Sequence, residues 1–137
     1  MDKTNVFFRD ANGFNVSDAE TTHDGIEASL TQPVLETLTL SGSLTWAVHE
    51  YAFTGSSGRE QITEGNRVDT APEWLWNLRA LWTPTAASAI EAEWVHVGDY
   101  FTDAANSAEY EGHDLINLRG RYAFGEGIEV FAAIRNV

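Results

Sequence analysis

The stretch Leu38-Thr39-Leu40-Ser41-Gly42-Ser43-Leu44-Thr45-Trp46-Ala47-Val48-His49 decides the fold. Within the strand expected from Leu38 to Phe53, its even positions are mostly apolar (Leu38, Leu40, Leu44, Trp46, Val48), and its odd positions are small or polar. Successive side chains of an extended strand point to opposite faces, so this alternation places one apolar and one polar face on the same strand. The phasing recurs. Trp74, Trp76, Leu78, Ala80 and Trp82 alternate with Leu75, Asn77, Arg79 and Leu81. Ile90, Ala92 and Trp94 alternate with Glu91 and Glu93, and Ile116, Leu118, Gly120, Tyr122 and Phe124 with Asn117, Arg119 and Arg121. A final run sets Ile128, Val130, Ala132 and Ile134 against Glu129, Phe131, Ala133 and Arg135. An earlier run sets Ile26, Ala28 and Leu30 against Glu27, Ser29 and Thr31, and a partial strand is expected over Asn5 to Arg9. No segment has helical periodicity. The chain reads as all-β with about seven strands.

Composition narrows the function classes. The 137 residues carry 8 Lys+Arg against 21 Asp+Glu, a net charge of −13. That balance argues against nucleic acid, whose phosphates need a basic footprint, and against a basic patch for anionic lipid. With no cysteine there is no disulfide and no thiolate chemistry. No apolar run approaches the roughly 18–20 residues of a membrane helix, and the polar start Met1-Asp2-Lys3-Thr4-Asn5 is no signal peptide. Five Trp, four Tyr and seven Phe are a heavy aromatic load; Trp and Tyr collect where one end is dry and the other wet.

The connections alternate in length. Gln32–Thr37, Pro84–Ala89 and Gly125–Gly127 are short, whereas Asp10–Ala19, Thr54–Glu73 and Phe101–His113 are long and polar. Short turns at one end and long loops at the other are the pattern of a transmembrane barrel. The strand charges Glu27, Arg79, Glu91, Glu93, Arg119, Arg121, Glu129 and Arg135 all fall on the polar phase. In strands of about 9–11 residues this leaves an uncharged band of bilayer height. Trp46, Trp74, Trp82, Trp94, Tyr122 and Phe124 lie on the apolar phase, where an aromatic girdle meets the interfaces. His96, on the same phase, is either interfacial or counts against this reading. A soluble antiparallel sheet alternates in the same way; strand length and loop asymmetry favour the membrane reading over it.

Several elements, in order, resemble the C-terminal barrel region of TonB-dependent outer-membrane receptors. They are Gly25-Ile26-Glu27 before a short turn, the ascent Leu38 to Ser43, and Ala71-Pro72 followed by Trp74 and Asn77. They continue with Tyr100, Asp103, Asn106 and Tyr110 leading through Gly112 into Leu115-Ile116-Asn117-Leu118-Arg119, and end with Arg135-Asn136-Val137. The resemblance implies an antiparallel up-and-down transmembrane β-barrel segment spanning residues 1–137, about seven strands of a larger barrel, not closed within the chain. The family's plug domain, signal peptide, TonB-engaging segment and closing strand have no counterpart in it. It also implies a receptor in the Gram-negative outer membrane that imports a scarce solute such as a ferric siderophore, energised through the TonB complex. Its partners would then be outer-membrane lipid and that solute, with no cofactor.

No catalytic constellation stands out. Glu91 and Glu93 share a face and read as a polar barrel interior, with Arg79, Arg119 and Arg121 as cross-strand partners. Gly55-Ser56-Ser57-Gly58 reads as a flexible loop tip, and no Gly-x-Ser-x-Gly elbow exists. His23 and Glu27, about 13 Å apart on a strand, and the scattered His49, His96 and His113 predict no metal site. Recognition is expected in the long loops and upper lumen, at Arg59, Arg67, Tyr100, Phe101, Asn106, Tyr110 and His113. The rivals are a soluble all-β module, such as a carbohydrate-recognising sandwich stacking sugars on Trp74, Trp76 or Trp94, and a small autonomous membrane barrel with an even strand count.

Overall fold

A computed structural model describes residues 2–9, 15–57, 59–125 and 127–137, without the side chains of residues 5–9, 15–18 and 57. The strands are β1 Asp2–Arg9, β2 Asn15–Leu35, β3 Leu38–Tyr51, β4 Gly55–Ser57, β5 Glu60–Ile62, β6 Trp74–Thr85, β7 Ser88–Val97, β8 Tyr100–Phe101, β9 Glu109–Tyr110, β10 His113–Phe124 and β11 Ile128–Arg135. Seven of them form one sheet in the order β1-β2-β3-β6-β7-β10-β11. Leaving aside the two small hairpins β4–β5 and β8–β9, each strand neighbours the next in sequence, which is an up-and-down meander. Among the described residues the sheet does not close on itself, so the autonomous small barrel has no support.

Tight turns hold the short connections. Glu36–Thr37 joins β2 to β3 and Ala86–Ala87 joins β6 to β7. Register is regular where the alternation is strongest: Leu118 lies opposite Ala92 in one ladder and Ile134 in the other, and Ala92 lies opposite Ala80. Gly25 is required by close approach, since a Cβ there would stand 2.6 Å from the Trp46 carbonyl oxygen.

Three local expectations are corrected. β2 runs 21 residues, starting at Asn15, so the described part of the expected Asp10–Ala19 loop is strand, and residues 10–14 lie outside the described residues. Polar residues such as Thr21 and His23 do not break a strand, because the backbone ladder is made by N–H and C=O groups and not by side chains. The Gly55–Gly58 tip is part of a hairpin, with Gly55 opposite Ile62 and Ser57 opposite Glu60; Gly58 itself lies outside the described residues. The buried Ile62 side chain, 1 % exposed, anchors that hairpin. Finally, strand β3 ends at Tyr51, before Phe53.

The chain divides into two compact units. One comprises Met1–Ile26, Thr45–Trp74 and Gly98–Gly112, the other Glu27–Leu44, Leu75–Val97 and His113–Val137. In the second unit the burial is inverted relative to a water-soluble domain. Leu78, Ile90, Trp94, Ile116, Leu118, Tyr122 and Phe124, all on the apolar phase, are 40–53 % exposed, whereas Glu93 on the polar phase is 8 % exposed. A soluble sandwich buries its apolar face against a second sheet; among the described residues this face has no second layer. The sandwich reading is therefore overturned.

Candidate functional site

The polar face of the second unit is cross-linked by charge. Arg79 lies opposite Glu93 in the β6–β7 ladder, and Arg119 lies opposite Glu91 in the β7–β10 ladder. Glu93 Oε1 accepts hydrogen bonds from Arg79 (2.9 Å) and Asn77 Nδ2 (3.1 Å), and its Oε2 from Arg119 (2.9 Å) and Asn117 Nδ2 (3.1 Å). Arg119 also bonds Glu91. One carboxylate thus binds two guanidiniums and two amides from flanking strands, which saturates its lone pairs. The sequence expectation of cross-strand partners for Glu91 and Glu93 holds for Arg79 and Arg119, while Arg121 pairs with Glu129 at 3.3 Å instead.

The apolar face of this unit carries one polar knot. Asp114 Oδ1 accepts from Trp94 Nε1 (2.8 Å) and bonds His96 Nδ1 (2.9 Å). Trp76 stacks on the His96 ring at 5.0 Å and meets Trp94 edge-on at 4.6 Å. An amphipathic cluster of this kind belongs where an apolar band gives way to water.

The long connections make up much of the first unit, and they are ordered by side chains bonding backbone. Asn106 has φ 55°, a left-handed conformation that Asn tolerates better than most residues. Its Oδ1 accepts the Arg67 backbone N–H at 2.7 Å, and its Nδ2 donates to the Arg67 carbonyl at 2.9 Å. Glu60 Oε2 accepts the Ala104 N–H at 3.0 Å, Asn66 Nδ2 donates to the Ala104 carbonyl at 3.0 Å, and the Thr70 N–H donates to the Phe101 carbonyl at 2.8 Å. Two connections 39 residues apart are thereby tied together. The Arg67 guanidinium faces Glu73 and, at 3.9 Å, Glu50. Tyr51 donates to Asp69 at 2.6 Å. Asp103 organises the tight turn before β9, accepting from the Ser107 hydroxyl at 2.7 Å and the Ala108 N–H at 2.8 Å. The Ser107 hydroxyl first, and then the Ala108 N–H, hold its carboxyl below the usual carboxylate range.

Of the residues expected to recognise ligand, Arg67, Tyr100, Phe101, Asn106 and Tyr110 all fall in this unit. Tyr100 and Tyr110 lie opposite each other, ring centroids 5.1 Å apart. Arg59 sits exposed at the turn of the β4–β5 hairpin. His113 belongs to the other unit, opening β10 opposite Val97. Sequence reasoning missed the tie between Asn106 and Arg67, and it missed that His23 and His49 come together with Nδ1 atoms 2.7 Å apart. Their shared odd parity on neighbouring strands was the available signal. Among the described residues no group of three or more His, Asp or Glu could hold a metal ion.

A concavity of about 510 Å³ is lined by Leu30, Leu40, Leu44 and Leu78 among others. These residues are on the apolar phase, so it is a groove of that surface.

Comparison with known proteins agrees with this architecture. No curated protein matches the chain. The siderophore receptor PiuA from Acinetobacter baumannii superposes with a TM-score of 0.81 at 16 % identity, over 98 % of this chain and 20 % of its own. The ferric-catecholate import receptor Fiu from K12 E. coli gives 0.73 at 15 % identity, over 99 % of this chain and 19 % of its own. The chain thus spans about a fifth of the length of each of these structures. The family model for the TonB dependent receptor-like beta-barrel matches residues 1–137. The chain belongs to the TonB-dependent receptor-like β-barrel family.

Proposed function

We propose that this chain supplies barrel wall and external loops to a Gram-negative outer-membrane receptor that imports a siderophore-type iron chelate, driven through TonB. The observation that carries the reading is the inverted sheet. Its exposed face is apolar, as lipid contact requires, and its polar face holds an ion-paired Arg–Glu–Arg ladder that suits a hydrated lumen. The siderophore receptors that share its fold point to the solute class. In this reading the protein performs no covalent chemistry. The Tyr100–Tyr110 pair presents aromatic faces to an aromatic chelate, and Arg67, its backbone held by Asn106, offers its cation to an anionic one only by giving up Glu73 and Glu50. Phe101 and Arg59 lie on the same pair of loops, and His113 lies at the start of β10.

The experiment is uptake of radioactive Fe³⁺, supplied as a catecholate and as a hydroxamate complex, by iron-starved cells with and without the native gene. Loss of uptake of one complex on deletion, and its abolition by a protonophore in wild-type cells, is the expected result. Unchanged uptake of both complexes on deletion sinks the reading. Arg67→Ala is expected to raise the half-saturating concentration severalfold with an unchanged maximal rate.

A further inference from the structure

The first unit contains a guanidinium that two carboxylates hold before any solute arrives. Arg67 faces Glu73, and its Nε stands 3.9 Å from Glu50. Two carboxylates on one guanidinium leave negative charge in excess, so the cluster as it stands repels an anion. The Arg67 backbone, by contrast, is pinned independently of its side chain. Asn106 bonds both its N–H and its carbonyl. On either side, the Asn66 carbonyl accepts the Tyr51 N–H and the Val68 N–H donates to the His49 carbonyl, each at 2.8 Å. The guanidinium can therefore leave its carboxylates by side-chain rotation alone, without opening the loop. The side chains of Arg67, Glu50 and Glu73 are 36 %, 42 % and 29 % exposed, and ion pairs so accessible to water are weak. Neighbouring carboxylates have other partners: Asp69 has the Tyr51 hydroxyl and Glu60 the Ala104 N–H. Glu50 and Glu73 have Arg67.

We propose that Glu73 and Glu50 are built-in competitors that set the charge a solute must carry to take Arg67. The inference rests on the uptake reading and narrows the solute within it to a polyanionic iron chelate, such as a ferric catecholate. A small anion such as inorganic phosphate meets two carboxylates tethered beside the guanidinium, and a tethered group competes at high effective concentration. A polyanionic chelate presents several acceptor oxygens and more charge, so it replaces both contacts at once. The displaced carboxylates turn to water at little cost, because they are already partly exposed. Glu73 and Glu50 thus determine specificity without holding the solute.

The test uses the purified full-length receptor in detergent. Binding of a ferric catecholate and of an uncharged ferric hydroxamate is read by tryptophan fluorescence quenching. Wild type is expected to bind the catecholate with little response to inorganic phosphate. The double variant Glu50→Gln with Glu73→Gln is expected to bind it about fivefold tighter, to become sensitive to phosphate, and to gain nothing for the hydroxamate. In an Arg67→Ala background the same two substitutions should change nothing. Glu64→Gln removes as much charge as Glu73→Gln from an exposed residue of the same connection, and should leave binding unchanged. Heat-modifiable gel migration checks folding, and Glu73→Gln alone, expected to tighten binding about twofold, serves if the double variant misfolds. Catecholate binding that is unchanged or weaker in the folded Gln variants overturns the inference and leaves the uptake reading standing. So does a wild type that binds only the hydroxamate, or tightening that persists without Arg67 or that Glu64→Gln reproduces. A wild type that binds neither complex overturns the uptake reading itself, and the inference with it.

Discussion

Glu93 in the strand wall and Asn106 in the loop unit each join segments distant in sequence, but by different chemistry. Glu93 collects four charged or amide donors from β6 and β10, and those strands are already held by regular backbone ladders. Asn106 uses a neutral amide to bond both backbone groups of Arg67, which lie outside any strand ladder and are paired otherwise through an isolated bridge to Glu50. Where a ladder exists, side chains add charge and polarity to a wall that stands without them. Where it does not, side chains replace the ladder, because each backbone N–H and C=O still requires a partner. A ladder-held wall can thus vary its charges while keeping its register, whereas the loops of the first unit owe their order to a few side chains.

The sharpest way to break this picture is to reverse a face. Leu118→Arg places a charge in mid-strand on the apolar phase, and a cost of about 2–4 kcal/mol is expected in lipid. Leu81→Arg places the same charge on the polar phase, beside Glu91 in the ladder, and is expected to cost under about 1 kcal/mol. Urea unfolding of the receptor in vesicles reads both; equal losses would refute the assignment of faces. Next in size, Glu93→Ala leaves two guanidiniums without their shared acceptor and is expected to lower the global unfolding free energy by about 2 kcal/mol, because hydrogen bonds to a charged group are lost at a largely buried point. Glu93→Gln should restore part of this by keeping two of the acceptor contacts. The smallest global effect belongs to Asn106→Ala, for which the unfolding midpoint of the wall should not move. Local opening of the loops becomes easier by about 1–2 kcal/mol, so limited proteolysis there speeds up about tenfold. Asn106→Gly, which accepts φ 55° freely but lacks the amide, separates strain from bonding. Proteolysis as slow as wild type in that variant would show that conformation, and not the amide, secures the loop.

Much of the wall was legible in the sequence. The parity of Leu78, Trp94 and Leu118 against Arg79, Glu93 and Arg119 assigns both faces, since the two-residue period is imposed by the backbone itself and needs no partner to be read. The alternating connection lengths announced the meander for the same reason. The loops were legible in composition only. Nothing in the spacing from Arg67 to Asn106 signals that one amide reads the other residue's backbone, because loop paths follow no period. The short hairpins β4–β5 and β8–β9 were hidden in polar stretches that resemble flexible tips.

The sequence by itself thus determined the fold class, the faces and the residues free to line a lumen, all of which follow from local backbone geometry. Tertiary structure alone decided which of those residues meet. His23 joins His49, Glu93 joins Arg79 and Arg119, and Asn106 joins Arg67 through strand register and loop closure. These depend on the pairing of whole segments rather than on any residue's own preference.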